Sequence, residues 1–254
     1  MNFSNLPPKP PSRQIRALQE EDGATIIVYQ AYPSTIATAA VTYQRLDASP
    51  EFRTTRMTWI KPSWAWMLYR SGYSYKDPGQ ERILAIKMKR EDFLGLLGRG
   101  VLTHGTAPRP GPQQGQEMTS DAQGRTSGER GEEAAPKESA RESKRRDRLQ
   151  SLDVKIQWDP ERTVRLHSLN YRSIQIGIPA GLIEEWAQDM IVSIEDVTDK
   201  ARALKKILDE RPDVTDEELA ELELIPKETE FEVPVESRSR LGMYHDGLVM
   251  ASEP

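Results

Sequence analysis

The sequence contains no cysteine. Disulfides, thiolate nucleophiles and cysteine-ligated zinc are therefore excluded, and a reducing, intracellular location is expected. Histidine is also scarce: His104, His167 and His245 lie far apart without ligand spacing, so no histidine metal site is expected. No apolar run approaches the roughly 20 residues of a membrane-spanning helix. The start, MNFSNLPPKPPSRQ, lacks the apolar core of a secretory signal, so a soluble, cytoplasmic protein is expected. The phosphate-binding patterns GxxxxGK(S/T) and GxGxxG are missing, which argues against a P-loop NTPase or a Rossmann oxidoreductase. Without GxSxG or HExxH, the common serine hydrolases and zinc proteases also lose support.

What the chain does have is concentrated in RMTWIKPSWAWMLYRSGYSYKDPGQER, residues 56–82. Trp59, Trp64 and Trp66, three of the five tryptophans, are interleaved there with Arg56, Lys61, Arg70, Lys76 and Arg82. Flat rings stack bases or guanidinium groups and cations neutralise phosphate or carboxylate, so the mixture suits an anionic, ring-bearing ligand. The same residues also fit a core helix with an amphipathic rim. Charge along the chain is uneven. Residues 1–100 carry 14 Lys and Arg against 9 Asp and Glu, whereas residues 151–254 carry 12 against 23. A positive half within a chain of net charge -5 fits a localised anionic ligand or ordinary scatter.

Residues 104–148 hold no aromatic, Val, Ile or Leu and are rich in Gly, Pro, Ser, Gln, Glu and Arg. Such a segment cannot bury enough apolar surface to offset its ordering entropy, so it reads as a disordered insertion with a basic end at Lys144, Arg145, Arg146 and Arg148. The rest reads as α+β: a single domain with a mixed or antiparallel sheet flanked by helices. Strands are expected at 26–32, 55–60, 83–87, 154–158, 173–178 and 191–194. Helices are expected from Ser34, as N-cap, to Tyr43; from Pro62 to Gly72; and at 90–97 and 180–188. In the acidic end, Thr198 or Asp199 caps a helix that Pro212 stops, and Thr215 with Glu218 forms a capping box for a second. The expected organisation is a flexible stretch 1–12, a catalytic domain 13–198 interrupted by the insertion, and an acidic C-terminal helical extension 199–254, whose two helices are expected to form a peripheral hairpin packed on the main sheet.

Candidate site residues are polar groups at strand ends and helix starts: Arg13, Arg16, Tyr29, Tyr32, Arg56, Lys61, Ser63, Arg70, Glu81, Arg82, Trp158, Asp159, Arg172 and Gln175. Lys61-Pro62-Ser63 stands where a strand hands over to a helix, so backbone amides and the helix dipole join Lys61 in attracting an anion. Ser63 is either a nucleophile or a helix cap. Glu81 pairs either with a cationic substrate or with Arg56 or Arg82.

Six blocks in order, RQIRA (13–17), VYQAY (28–32), RMTWIKPSWAWMLYRSG (56–72), KDPGQERILAI (76–86), VKIQWDPER (154–162) and YRSIQIGI (171–178), make the chain resemble the family catalogued as domain of unknown function 4291. The resemblance covers most of 13–198 outside the insertion. Its fungal members include arginine-containing cyclodipeptide synthases, which join arginine to a second amino acid using aminoacyl-tRNA. That resemblance implies arginyl-tRNA and a second charged tRNA as partners, and a diketopiperazine as product. It implies no metal, ATP or other cofactor, because the ester is already activated. Under it Lys61, Ser63, Tyr29 and Tyr32 are the catalytic candidates. Glu81, Asp159, Trp66, Arg172 and Gln175 would hold substrate, with Glu81 the first choice for the arginyl guanidinium. Arg13, Arg16, Arg56, Trp59, Arg70, Lys76 and Arg82 would contact tRNA. Two other readings remain: an NAD-using, ADP-ribosyltransferase-like enzyme with Tyr29, Tyr32 and Ser63 around nicotinamide, and a non-catalytic RNA-binding module.

Overall fold

The computed structural model describes residues 12–103 and 151–243. The expected flexible start and the 104–148 insertion lie outside them, apart from Ser12. The fold is α+β. In chain order the strands are β1 (Arg16–Ala17), β2 (Thr25–Tyr32), β3 (Thr58–Ile60), β4 (Arg82–Lys89), β5 (Gly100–Leu102), β6 (Val154–Arg162), β7 (Ser168–Ile178), β8 (Ile191–Asp196) and β9 (Thr229–Glu230). The first three helices are α1 (Ser34–Tyr43), α2 (Trp64–Ser71) and α3 (Arg90–Gly98).

Three sheets form: antiparallel β2-β4-β8, mixed β3-β7-β6-β5, and the short pair β1-β9. β5 and β6 run parallel, with Gly100 opposite Val154, and the other paired strands among the described residues are antiparallel. The two larger sheets meet at one isolated antiparallel bridge, Tyr29 to Lys61. There the Tyr29 N–H donates to the Lys61 carbonyl at 2.7 Å and the Lys61 N–H to the Tyr29 carbonyl at 3.2 Å. Lys61 is thus pinned by its backbone at the seam.

The period of two in β2 and β4 distributes their side chains between two cores. Ile26, Val28, Leu84, Ile86 and Met88 face one, shared with α1, α3, Trp158, Ile174, Ile176 and Trp186. Tyr29, Ile83 and Ala85 face the other, with Trp64, Met67 and Leu68 of α2 and Ala201 and Leu204. Strands buried on both faces explain why IIVYQAY and RILAIKM show little polar alternation.

Several boundaries differ from the sequence expectation. Ser34 is the first residue of α1, not its cap; Pro33 holds that position without a side-chain bond, and Glu81 Oε1 accepts from the Ser34 N–H at 2.9 Å. Pro62 precedes the cap of α2, because Ser63 takes that place with its hydroxyl accepting from the Trp66 N–H. Gly72 closes α2 at φ 57, ψ 48, a left-handed conformation that needs no Cβ. Residues 180–190 are a 3-10 turn (Ala180–Leu182), one α turn (Ile183–Glu185) and a π turn (Trp186–Met190), not one α-helix. Trp186 is fully buried at the π turn, so core packing outweighs regular hydrogen bonding there.

In the acidic end, Val197 caps the helix Thr198–Glu210, while the Thr198 hydroxyl accepts from the Ile83 N–H and ties the helix to β4. The Thr215–Glu218 capping box is present, opening the helix Asp216–Glu221. The chain then turns back into the molecule. Thr229 and Glu230 pair with β1, and Phe231, Val233 and Leu241 enter the first core, so this stretch is not peripheral.

Candidate functional site

A cavity of about 1020 Å³ opens where β2 and β3 meet α2. Its floor is the seam, and the residues that build it explain its character. Gln30 on β2 is buried and donates to Thr58 Oγ1 at 2.7 Å and to the Trp59 carbonyl at 3.1 Å, fastening β3 to β2. Trp59 lies against Gly177, its partner in β7. A Cβ on that glycine would come within 3.0 Å of the indole, so glycine lets the ring lie on the strand as a wall. Trp66 supplies a second ring from α2, and Tyr32 and Phe52 a third and fourth, 6.1 Å apart and edge to face. Cations line the same space: Arg53 and Arg56 from the exposed loop before β3, Lys61 from the seam and Arg70 from α2. Glu51 and Asp77 are its carboxylates.

Lys61 is the unusual member. It is only 5% exposed, and among the described residues its ammonium has neither a hydrogen bond nor an ion pair; it lies over the Trp66 ring, 5.1 Å from the centroid. Burial first, and then the like charge of Arg70, bring its pKa down to about 7, with Asp159 opposing. A lysine that shares its proton with water near neutrality can act as base or nucleophile.

Beside it runs a polar ladder across β6 and β7. Gln175 Nε2 donates to Gln157 Oε1 at 2.6 Å and to Asp159 Oδ2 at 2.8 Å. Both glutamines line the cavity. Burial holds the Asp159 carboxyl above its ordinary range, against the pull of Lys61 and Arg172.

Of the residues expected from the sequence, Tyr32, Arg56, Trp59, Lys61, Trp66, Arg70 and Gln175 are brought together here. Burial lifts the Tyr32 hydroxyl to about 12, and that group lies 3.4 Å from Thr58 Oγ1. The remaining candidates lie elsewhere. Tyr29 is core, tilted against Trp64 at 5.2 Å, and burial raises its hydroxyl well above the ordinary value. Ser63 is buried as a cap and donates to Glu161 Oε1 at 2.9 Å, so its hydroxyl is engaged on both sides. Glu81 holds the α1 N-terminus, and the Ser34 bond lowers its pKa. Arg82 pairs with Asp196, its Nε 2.7 Å away. Arg13 binds the carbonyls of Leu241 and Gly242, Arg16 that of Glu228, and Arg172 that of Trp158. Lys76 is exposed outside the cavity.

The sequence reading missed Gln30, Phe52, Arg53, Thr58 and Gln157. The two missed glutamines, Gln30 in VYQAY and Gln157 in IQW, carried a signal, since a polar residue in a buried strand needs a partner. Also missed was a carboxylate cluster on the other side of Pro62. Glu161 is buried, with its pKa raised by burial, and Glu228 accepts from the Trp64 N–H at 2.6 Å. Burial, and then Glu161, push Glu228 up to about 8.

Among the described residues, no group of three or more His, Asp or Glu is placed to hold a metal ion, and no helix is long and apolar enough to cross a membrane. Fold and site together define an α+β protein with a cavity walled by indole rings and cations. The chain belongs to the family described as domain of unknown function (DUF4291), whose model matches residues 14–231. That match runs through β9 to Phe231 and so includes the returning acidic segment. No curated protein matches the chain.

Proposed function

We propose that this protein is an aminoacyl-tRNA-dependent cyclodipeptide synthase that forms an arginine-containing diketopiperazine. The observation that carries the reading is the composition of the cavity: Arg53, Arg56 and Arg70 with Trp59 and Trp66 around the amine of Lys61, which has no hydrogen bond or ion pair among the described residues. Guanidinium groups suit the phosphates near a tRNA 3′ end, an indole suits its terminal adenine, and about 1020 Å³ has room for the nucleoside and its amino acid.

In the first step the α-amine of one aminoacyl ester attacks the ester carbonyl of the other. A C–N bond forms, the C–O bond to the ribose breaks, and the ribose hydroxyl leaves with a proton. The free α-amine of the resulting dipeptidyl ester then attacks the remaining ester carbonyl, which closes the ring and releases the second tRNA. Both steps need a group that removes a proton from an attacking ammonium near neutral pH, and Lys61 takes that role. The ring faces and cations position the ends, a contribution that needs no metal. Asp159, which stands behind the cavity wall and accepts from the lining Gln175 at 2.8 Å, is the carboxylate proposed for the arginyl guanidinium in place of Glu81, whose carboxylate is engaged by the Ser34 N–H at the α1 N-terminus.

The test is reconstitution with purified arginyl-tRNA and a mixture of other charged tRNAs, read by mass spectrometry for cyclic dipeptides. A new arginine-containing product supports the reading. If charged tRNA binds and is released intact, the cavity belongs to an RNA-binding module; if NAD is consumed instead, it belongs to a transferase of ADP-ribose.

A further inference from the structure

Lys61 has a property that does not depend on tRNA. Its backbone is fixed by the two hydrogen bonds to Tyr29 and by Pro62 after it, so the amine is held against the cavity wall. The groups that face it are the guanidinium of Arg70 from α2, the carboxyl of Asp159 from β6 and the Trp66 ring, and none gives it a hydrogen bond or ion pair. Arg53, Arg56 and Arg70 line the same space and offer planar donors to phosphate, and the half-buried Trp59 offers a face to a flat ring.

We propose that Lys61 is a covalent modification site: its amine condenses with phosphate-bearing aromatic aldehydes to give an imine within the cavity. The Nζ lone pair attacks the aldehyde carbon and the carbonyl π pair moves to oxygen. The carbinolamine then loses water, taking two protons from nitrogen, and a C=N bond remains. No electrons are gained or lost. The arginines hold the phosphate and an indole stacks the ring, so the aldehyde is delivered to this amine and not to the exposed lysines.

The probe is pyridoxal 5′-phosphate, added to the whole protein, trapped with borohydride and located by peptide mass spectrometry. One equivalent on Lys61 is expected, at a rate roughly tenfold or more above that of exposed Lys76 or Lys206, because a lysine near neutrality is far more often unprotonated than an ordinary one. The pH midpoint of labelling should fall near 7, and excess inorganic phosphate should slow it. Arg70→Gln should raise that midpoint by removing the like charge. Label spread over exposed lysines with Lys61 untouched would overturn the proposal, as would Lys61 labelling that phosphate does not slow. The assay contains no tRNA, so it can fail while cyclic dipeptide is still made, and it can succeed where none is.

Discussion

A single residue, Pro62, separates Lys61 from Ser63, yet their surroundings treat buried titratable groups in opposite ways. At Lys61 a cation is buried among cations and rings, without a hydrogen-bond partner among the described residues, and its proton is held weakly. Around Ser63 two carboxyls are buried together and bound by the Ser63 hydroxyl and the N–H groups of Trp64 and Arg162, and burial raises the pKa of both, that of Glu228 to about 8. Pro62 and the start of α2 divide the two. A saturated polar cluster stabilises a junction, here the grip of the returning segment on α2; an unsatisfied amine facing a cavity is destabilising and persists where it has a use.

The largest expected effect follows from removing the amine. Lys61→Met should lower product formation about 100-fold or more, the usual contribution of a proton-transferring group. Thermal stability should stay equal or rise, since an unpaired buried amine is replaced by an apolar side chain of similar length. A fall in both would put Lys61 with the structural groups.

Ser63→Ala tests the other side. It removes a cap and one of the donors to the buried Glu161, so stability should drop by about 1–3 kcal/mol in urea titration while product formation per folded molecule stays within a few-fold. Loss of turnover in a fully folded variant would return Ser63 to the catalytic residues.

The pH dependence of stability separates the two groups by sign. Glu228 binds its proton more tightly folded than unfolded, so its contribution is full below about 4.5 and declines as pH rises to about 8. Lys61 binds its proton less tightly folded, so its contribution grows from about pH 7 toward about 10.5. Glu228→Gln should flatten the descending limb and Lys61→Met the rising one, each by an amount on the order of 1–3 kcal/mol across its range. Identical urea midpoints from pH 5 to 8 in wild type and Glu228→Gln would remove Glu228 from the buried cluster.

Gly177→Ala should act more narrowly. The added methyl displaces the Trp59 indole and weakens tRNA binding several-fold, with a stability cost of about 1 kcal/mol. Glu81→Gln should do least: a small loss of stability from the α1 N-terminus, and no change in arginine incorporation, whereas Asp159→Asn should reduce it. Equal arginine use in both variants would place the guanidinium elsewhere.

Local signals were legible where short-range chemistry decides the outcome. The Thr215–Glu218 capping box and the left-handed Gly72 are each fixed within a few residues. The 180–188 stretch was misread because a buried Trp186 imposes a π turn on residues of fair helix propensity. Of the site, the rings and the cations Arg56, Lys61 and Arg70 were visible as a block, but Arg13, Arg16 and Arg82 carried the same chemical signal and serve backbone carbonyls or Asp196.

Composition, period and spacing by themselves determined the α+β class, the places of the main strands and the concentration of rings and cations between 56 and 82, since these depend on residue type and near neighbours. Which carboxyl has which partner depends on what arrives from far along the chain: Glu161 at Ser63, Glu228 at Trp64, Glu81 at Ser34. Tertiary structure alone left Lys61 facing a cavity with no such partner among the described residues, because desolvation and pairing are set by the packed surroundings and not by the residue itself.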